Sequence, residues 1–212
     1  MKEHRNGFKV FEWNPSRAYA IGLLTADGNL SPDGRHFEFC SKDLENVVHF
    51  RKCLQLKARI SLKRRGTKPY RTYYRTQFGN VKLYRFLLEL GLRPRKSRTL
   101  ESVAIPKEFF ADFLRGLWDG DGGFSTFKHP ESRRLQWKAR FSSGSRVFLD
   151  KLRGLIGTNY GLSAKLYQTG RVYQLAYHKD QGSHLLKIMY DRPGGVVCLA
   201  RKREQALHLL NA

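Results

Sequence analysis

Two short stretches combine acid and glycine at matching places in the chain. "AIGLLTADG" (20–28) and "FLRGLWDGDG" (113–122) each close a strongly apolar run on an Asp-Gly pair, Asp27-Gly28 and Asp121-Gly122. A single Asp-Gly is ordinary turn chemistry, with the Asp capping a loop. Two of them, 94 residues apart (121 − 27), ask for a common cause. Both apolar runs read as helices, so each carboxylate falls at a helix C-terminus, where the dipole already disfavours an anion. Brought side by side, the two would also repel each other. A divalent cation between them removes the conflict. Mg²⁺ commonly takes one or two carboxylates together with water and phosphate oxygens, and paired ions can clamp an in-line phosphodiester displacement.

The elements that must position these acids are legible. Asn14 suits an N-cap with Pro15 at the first helical position, and the spacing predicts a helix to about Ala26. Ala18, Gly22 and Ala26 form a small-residue stripe, as do Gly116 and Gly120. Glycine inside a helix costs roughly 1 kcal/mol, so the stripes predict two helices packed closely, side by side and parallel. Gly28 and Gly122 are expected in the left-handed position just beyond each helix.

The segments after these two helices are alike. "RHFEFCSKDLENVVHFRKCL" (35–54) and "KARFSSGSRVFLDKLRGL" (138–155) each read as a strand and then a capped helix, with Phe39 matching Phe141 and Ser41 matching Ser143. A hairpin around Gly66-Thr67-Lys68-Pro69 has its counterpart at Thr169-Gly170. Helices are expected at about 80–90, 181–190 and 199–210. "RPGG" (192–195) reads as a turn. The fold class is therefore α/β of the α+β kind, two pseudo-symmetric αββαββα repeats with antiparallel sheets. The halves are placed at 1–97 and 98–212, with a polar, proline-bounded linker at about 93–106.

Composition names the partner. The 212 residues carry 40 Lys+Arg against 18 Asp+Glu, a formal net charge of +22, with 41% hydrophobic residues, enough for a real core. A polyanion, nucleic acid above all, is the expected ligand. No apolar run approaches the ~20 residues that span a bilayer, and no signal peptide is visible, so an intracellular protein is expected, of bacterial cytoplasm or an organelle. Cys40, Cys53 and Cys198 lack zinc-like spacing and read as reduced, space-filling thiols. The His residues show no HExxH pattern.

The two stretches resemble the nine-residue motif of the LAGLIDADG homing endonuclease family, with Gly22/Gly116, Asp27/Asp121 and Gly28/Gly122 in register and Thr25 where the consensus has an acid. The resemblance extends through the order of elements over nearly the whole chain. It implies a saddle-shaped monomer, needing no protein partner, that cleaves both strands of a long pseudo-palindromic or asymmetric DNA site, leaving four-base 3′ overhangs. It implies that Asp27 and Asp121 bind Mg²⁺, helped by the carbonyls of Ala26 and Gly120, with Ca²⁺ as a non-cleaving substitute and Mn²⁺ as a further candidate. The family's basic residue near each scissile phosphate falls on Lys96 and Lys202; Gln77 and Ser143 are candidates for ordering water. The start at Met1, without a splice-junction signature, favours a free-standing or intron-encoded product. An RNA maturase or a non-cleaving DNA-binding regulator on the same fold is the alternative. A basic structural protein would leave the duplicated Asp-Gly ends unexplained.

Strand alternation then sorts faces. With Phe37/Phe39, Ala139/Phe141, Tyr74, Phe78, Tyr173 and Tyr177 facing the core, the opposite parity presents Arg59, Ser61, Lys63, Arg65, Arg71, Tyr73, Arg75 and Gln77 in the first half. In the second it presents Gln136, Lys138, Arg140, Ser142, Lys165, Tyr167, Gln174 and His178. Such side chains suit the major groove, Arg or Lys for guanine and Gln for adenine, although a slip of one residue would invert the set.

Overall fold

The structure, a computed structural model, describes residues 11–66, 71–128, 130–133, 135–192 and 195–211. Helix α1 (Pro15–Asp27) starts where Asn14 accepts a hydrogen bond from the Arg17 amide at 2.8 Å, and Pro15 fills the first helical position. It is followed by β1 (Gly28–Leu30), β2 (His36–Ser41), α2 (Leu44–Cys53), β3 (Ile60–Arg65), β4 (Arg71–Gly79) and α3 (Val81–Glu89). The second repeat runs α4 (Phe110–Asp121), β5 (Gly122–Lys128), β6 (Leu135–Ser143), α5 (Arg146–Tyr160), β7 (Lys165–Thr169), β8 (Val172–His178) and α6 (Lys179–Tyr190), with α7 (Ala200–Leu210) added at its end. Each repeat forms one antiparallel four-stranded sheet, ordered β1-β2-β4-β3 and β5-β6-β8-β7. The tip at Thr67–Pro69, and Pro193-Gly194 of "RPGG", lie outside the described residues.

Helices α1 and α4 pack in parallel through their glycines. A methyl on Gly22 would come within 2.6 Å of the Leu117 amide nitrogen, and one on Gly116 would run into the Tyr19 carbonyl. Further along, Gly120 meets Ala26. The partners advance together on both helices, so both C-termini arrive at one place. This is the small-residue packing that the stripes predict.

Gly28 and Gly122 correct one expectation. Their backbones are extended (φ −84°, ψ 152° and φ −81°, ψ 161°), not left-handed, and each opens a strand directly. The reason for glycine is space: a methyl would sit 2.5 Å from Leu24 O at Gly28 and 2.6 Å from the Trp118 ring at Gly122. A left-handed glycine does end α5, at Gly161 (φ 69°).

The inner sheet faces close over the helices. Phe37, Phe39, Ala139, Phe141 and Tyr177 are buried, while Tyr74, Phe78 and Tyr173 are half-buried against the same core. The 93–106 segment is packed, not a loose tether. Leu100 and Val103 join the core, the Ala104 amide donates to Leu90 O, and the Ser145 hydroxyl donates to Leu100 O at 2.6 Å. Asp43 stands at the N-cap position of α2 but makes no side-chain cap there; its carboxylate accepts both Nε and Nη2 of Arg201 on α7.

Candidate active site

The parallel packing of α1 and α4 delivers Asp27 and Asp121 to one spot. Both are exposed, and the Asp27 carboxylate lies over Gly120, 3.5 Å from where a methyl on that residue would sit. Protein atoms crowd Asp121 enough to raise its carboxyl pKa through lost hydration, and the charges of Lys96 and Lys202 pull it back. Among the described residues no group of three or more His, Cys, Asp or Glu is arranged to hold a metal ion. Two carboxylates with nearby carbonyls form a donor set that leaves most coordination positions to water and substrate, which suits Mg²⁺ better than a closed protein cage.

Lys96 and Lys202 occupy matching places below this spot, both buried. Lys96 Nζ donates to Gly28 O at 2.6 Å. Lys202 Nζ lies 2.8 Å from Gly122 O, 2.6 Å from Trp118 O, 3.0 Å from Asp119 O and 3.4 Å from Gly120 O. An ammonium facing the unpaired carbonyls of a helix C-terminus is favourable. Burial pushes both lysines down to about 8; Asp121 and Asp27 oppose that shift at Lys96, and Asp119 does so most strongly at Lys202. Gly120 O, expected as a metal ligand, is thus shared with Lys202 and keeps a second lone pair.

The segment that carries each lysine rests on the opposite repeat. The segment bearing Lys96 rests on the start of α5, through the Ser145–Leu100 hydrogen bond and through Gly144, which packs on Ser97 O. The start of α7, bearing Lys202, rests on α2. Glu45 accepts the Ala200 amide at 3.2 Å, and Asp43 grips Arg201 at 2.8 and 3.0 Å.

Asp119, two residues before Asp121, points the other way. It is 1% exposed and accepts from the Tyr19 hydroxyl (2.7 Å), the Leu199 amide (2.7 Å) and the Tyr190 hydroxyl (3.2 Å). Burial lifts its carboxyl to about 6 against the pull of these donors. At the matching position Thr25 bonds back to Ile21 O. Asp119 therefore ties α4 to α1 and α7. Nothing in "WDGD" tells which acid turns inward.

The strand register sets the outer faces. In the first sheet Ser61 pairs with Arg75, Lys63 with Tyr73 and Arg65 with Arg71, while Gln77 pairs with Glu38. In the second, Lys138 pairs with His178, Arg140 with Ala176, Ser142 with Gln174, Lys165 with Ala176 and Tyr167 with Gln174, while Gln136 pairs with Phe127. Three positions depart from a plain outward reading. Arg59 is exposed but precedes β3. Gln174 is buried, its amide oxygen accepting the Tyr167 hydroxyl at 3.0 Å. The Arg65 side chain lies outside what the structure describes. Ser143 is half-buried at the end of β6, on the opposite parity, and its hydroxyl accepts the Ser145 amide. Glu38 was missed on the first face. Its place between inward Phe37 and Phe39 was the signal that should have found it.

Residues 108–189 match the family described as the LAGLIDADG-like domain. No curated protein matches the chain. Among solved structures, full-length DUF199/WhiA from Thermatoga maritima superposes with a TM-score of 0.60 at 14% identity, over 96% of this chain; the chain spans 62% of that protein's length. The homing endonuclease I-WcaI bound to its DNA recognition sequence gives 0.61 at 10% identity, covering 85% of this chain and 81% of that one. I-DmoI in complex with DNA and Ca gives 0.58 at 16% identity, over 93% and 98%. At these identities the likeness is one of fold.

Proposed function

Since residues 108–189 match the LAGLIDADG-like domain and the fold of a homing endonuclease extends over 85% of the chain, we propose that this protein is a site-specific, divalent-metal-dependent endonuclease acting on double-stranded DNA. The carrying observation is the convergence of Asp27 and Asp121 at the paired helix ends, with a buried lysine beneath each. The fold is shared with WhiA, so cleavage would depend on these four side chains. Asp27 and Asp121, with the carbonyls of Ala26 and Gly120, would hold the metal. A divalent ion such as Mg²⁺ would supply Lewis-acid charge there. Lys96 and Lys202, fixed on backbone carbonyls and charged at neutral pH, set a positive potential under the reacting phosphates without moving.

The outer faces of the two sheets bind the duplex. Their Arg, Lys and Gln side chains reach base edges and phosphates, and the net charge of +22 makes binding strongly salt-dependent. One chain supplies both acids, so the protein acts as a monomer on a long site, its halves meeting near residue 97. That Ca²⁺ accompanies DNA in the I-DmoI structure supports a divalent site here.

The test is a randomised duplex library, selected for binding in Ca²⁺ and then challenged with Mg²⁺, wild type beside Asp27→Asn. Discrete cut ends from the wild type alone are expected. Enrichment of sequence without metal-dependent cutting would leave a non-cleaving DNA-binding protein, and preference for folded RNA over duplex would point to a maturase.

A further inference from the structure

Glu38 is an acid at the centre of a basic face. On the outer side of the first sheet it stands between Asn29 of β1 and Gln77 of β4. Its carboxylate accepts Lys63 Nζ at 2.5 Å and Gln77 Nε2 at 3.2 Å, with the Arg75 guanidinium 3.7 Å away. The cluster is partly shielded: the Glu38 side chain is 16% exposed, those of Lys63 and Arg75 28% each. Lys63, Arg75 and the Cys40 thiol hold the carboxyl below its usual range despite burial, so it is ionised at neutral pH.

The matching position in the second sheet carries the opposite charge. Glu38 pairs with Gln77, one step from Phe39 opposite Thr76; Arg140 pairs with Ala176, one step from Phe141 opposite Leu175. Gly123 stands beside Arg140 where Asn29 stands beside Glu38. The two faces are copies in backbone register and opposites in charge at this place.

A carboxylate facing a polyanion costs affinity, because it repels phosphates and occupies cations that would otherwise neutralise them. Such a group is compatible with a duplex where it meets a donor on a base edge, the N4 amino group of cytosine or the N6 amino group of adenine. It also fixes its neighbours before any DNA arrives, which lowers the ordering cost of binding. The Gln77 amide nitrogen is turned toward Glu38, leaving its carbonyl oxygen as the acceptor presented elsewhere. Stability alone is a weak reason for the cluster, since an ion pair drawn partly out of water loses in hydration much of what it gains in attraction.

We infer that Glu38 is a specificity-determining residue: it holds Lys63, Arg75 and Gln77 as a preset reading group and penalises duplexes that turn the acceptor edge of a guanine or thymine toward it in place of the amino group of a cytosine or adenine. Its counterpart Arg140 reads acceptors, so the two half-sites differ in sequence at this place. The inference rests on the outer faces being the duplex-binding surface.

The experiment compares wild type, Glu38→Gln and Arg140→Gln in Ca²⁺ on two duplexes, one enriched by wild type from a random pool and one unrelated sequence of equal length, across a NaCl series. Glu38→Gln should bind the unrelated duplex about five- to tenfold more tightly, with a log K against log[salt] slope steeper by about one. Its discrimination should fall about tenfold or more, the worth of one good base contact. Arg140→Gln should weaken binding to both duplexes. An unchanged discrimination ratio and salt slope in Glu38→Gln, with only a lowered melting temperature, would make Glu38 a structural ion pair and overturn the inference. Failure of the wild type itself to bind any duplex in a salt-dependent way would remove the proposed function, and this inference with it. The wild-type arm tells the two failures apart.

Discussion

The hydroxyl of Tyr19, in the first motif helix, donates to the Oδ2 atom of Asp119 in the second, 2.7 Å away and 100 residues along the chain. The same carboxylate accepts from Tyr190 and from the amide of Leu199 just before α7. One buried acid thus joins the helix pair to the helix that carries Lys202. Removing one donor leaves a charged acceptor less satisfied in a dry setting, which costs about 1.5–3 kcal/mol. Tyr19→Phe should lower the urea midpoint accordingly, with little change in the denaturant slope. An unchanged midpoint would mean that water replaces the hydroxyl.

The glycine crossing predicts a sharper loss. A methyl on Gly22 or Gly116 meets backbone, which cannot step aside as a flexible side chain can. Either Gly→Ala change should cost on the order of 3 kcal/mol, a melting-temperature drop of roughly 6–12 °C in a chain this size. Gly154→Ala is the control: in α5, with open space where the methyl would go, it should gain up to about 1 kcal/mol.

The cross-repeat grip on α7 predicts a catalytic effect at a distance. Asp43 and Glu45 contact α7 and not the acid pair, yet they fix the helix start that presents Lys202. Asp43→Asn combined with Glu45→Gln should slow cleavage about tenfold or more, as expected when a positioned group loosens, while duplex affinity in Ca²⁺ stays within about twofold. Equal losses in binding and cleavage would mean that the pair contacts DNA.

The buried lysines predict a split of the same kind. Lys96→Met exchanges the desolvation cost of a cation for an unsatisfied Gly28 carbonyl, so stability should fall by no more than about 1–3 kcal/mol, while cleavage falls by about a hundredfold or more, the scale of losing one electrostatic donor. Full activity would remove Lys96 from the mechanism.

The thiols give a test of the core. Burial pushes Cys53 and Cys198 up to about 11, so both stay protonated and shielded at pH 8. A thiol-disulfide reagent should modify them only as the protein opens, and at once in denaturant. Because the folded pKa is the higher one, the unfolded chain releases these protons first on alkalinisation. Their contribution to stability therefore falls between about pH 9 and 11. Rapid labelling of both thiols in the native protein would contradict the packing around α2 and α7.

The duplicated plan was legible in the sequence because each of its signals is local. Asn14-Pro15 starts a helix by its own hydrogen bond and ring, the alternation of Phe37 and Phe39 in β2 and of Ala139 and Phe141 in β6 sets strand parity, and small-residue stripes announce a close crossing. Asp27 and Asp121 could be named because their oddity, a carboxylate at a helix end next to glycine, is visible in one dimension. Three features were decided only by tertiary structure. Gly28 and Gly122 look like left-handed caps, yet they serve to let Leu24 and Trp118 fold back against an extended chain. Asp43 resembles a helix cap, yet a guanidinium 158 residues away takes its carboxylate. Asp119 and Asp121 are alike in type and two positions apart, and only the packing of Tyr19, Tyr190 and α7 around one of them sends it inward. Local hydrogen bonds and side-chain periodicity depend on neighbours in sequence. Where a charge finds its partner depends on which elements the core brings together.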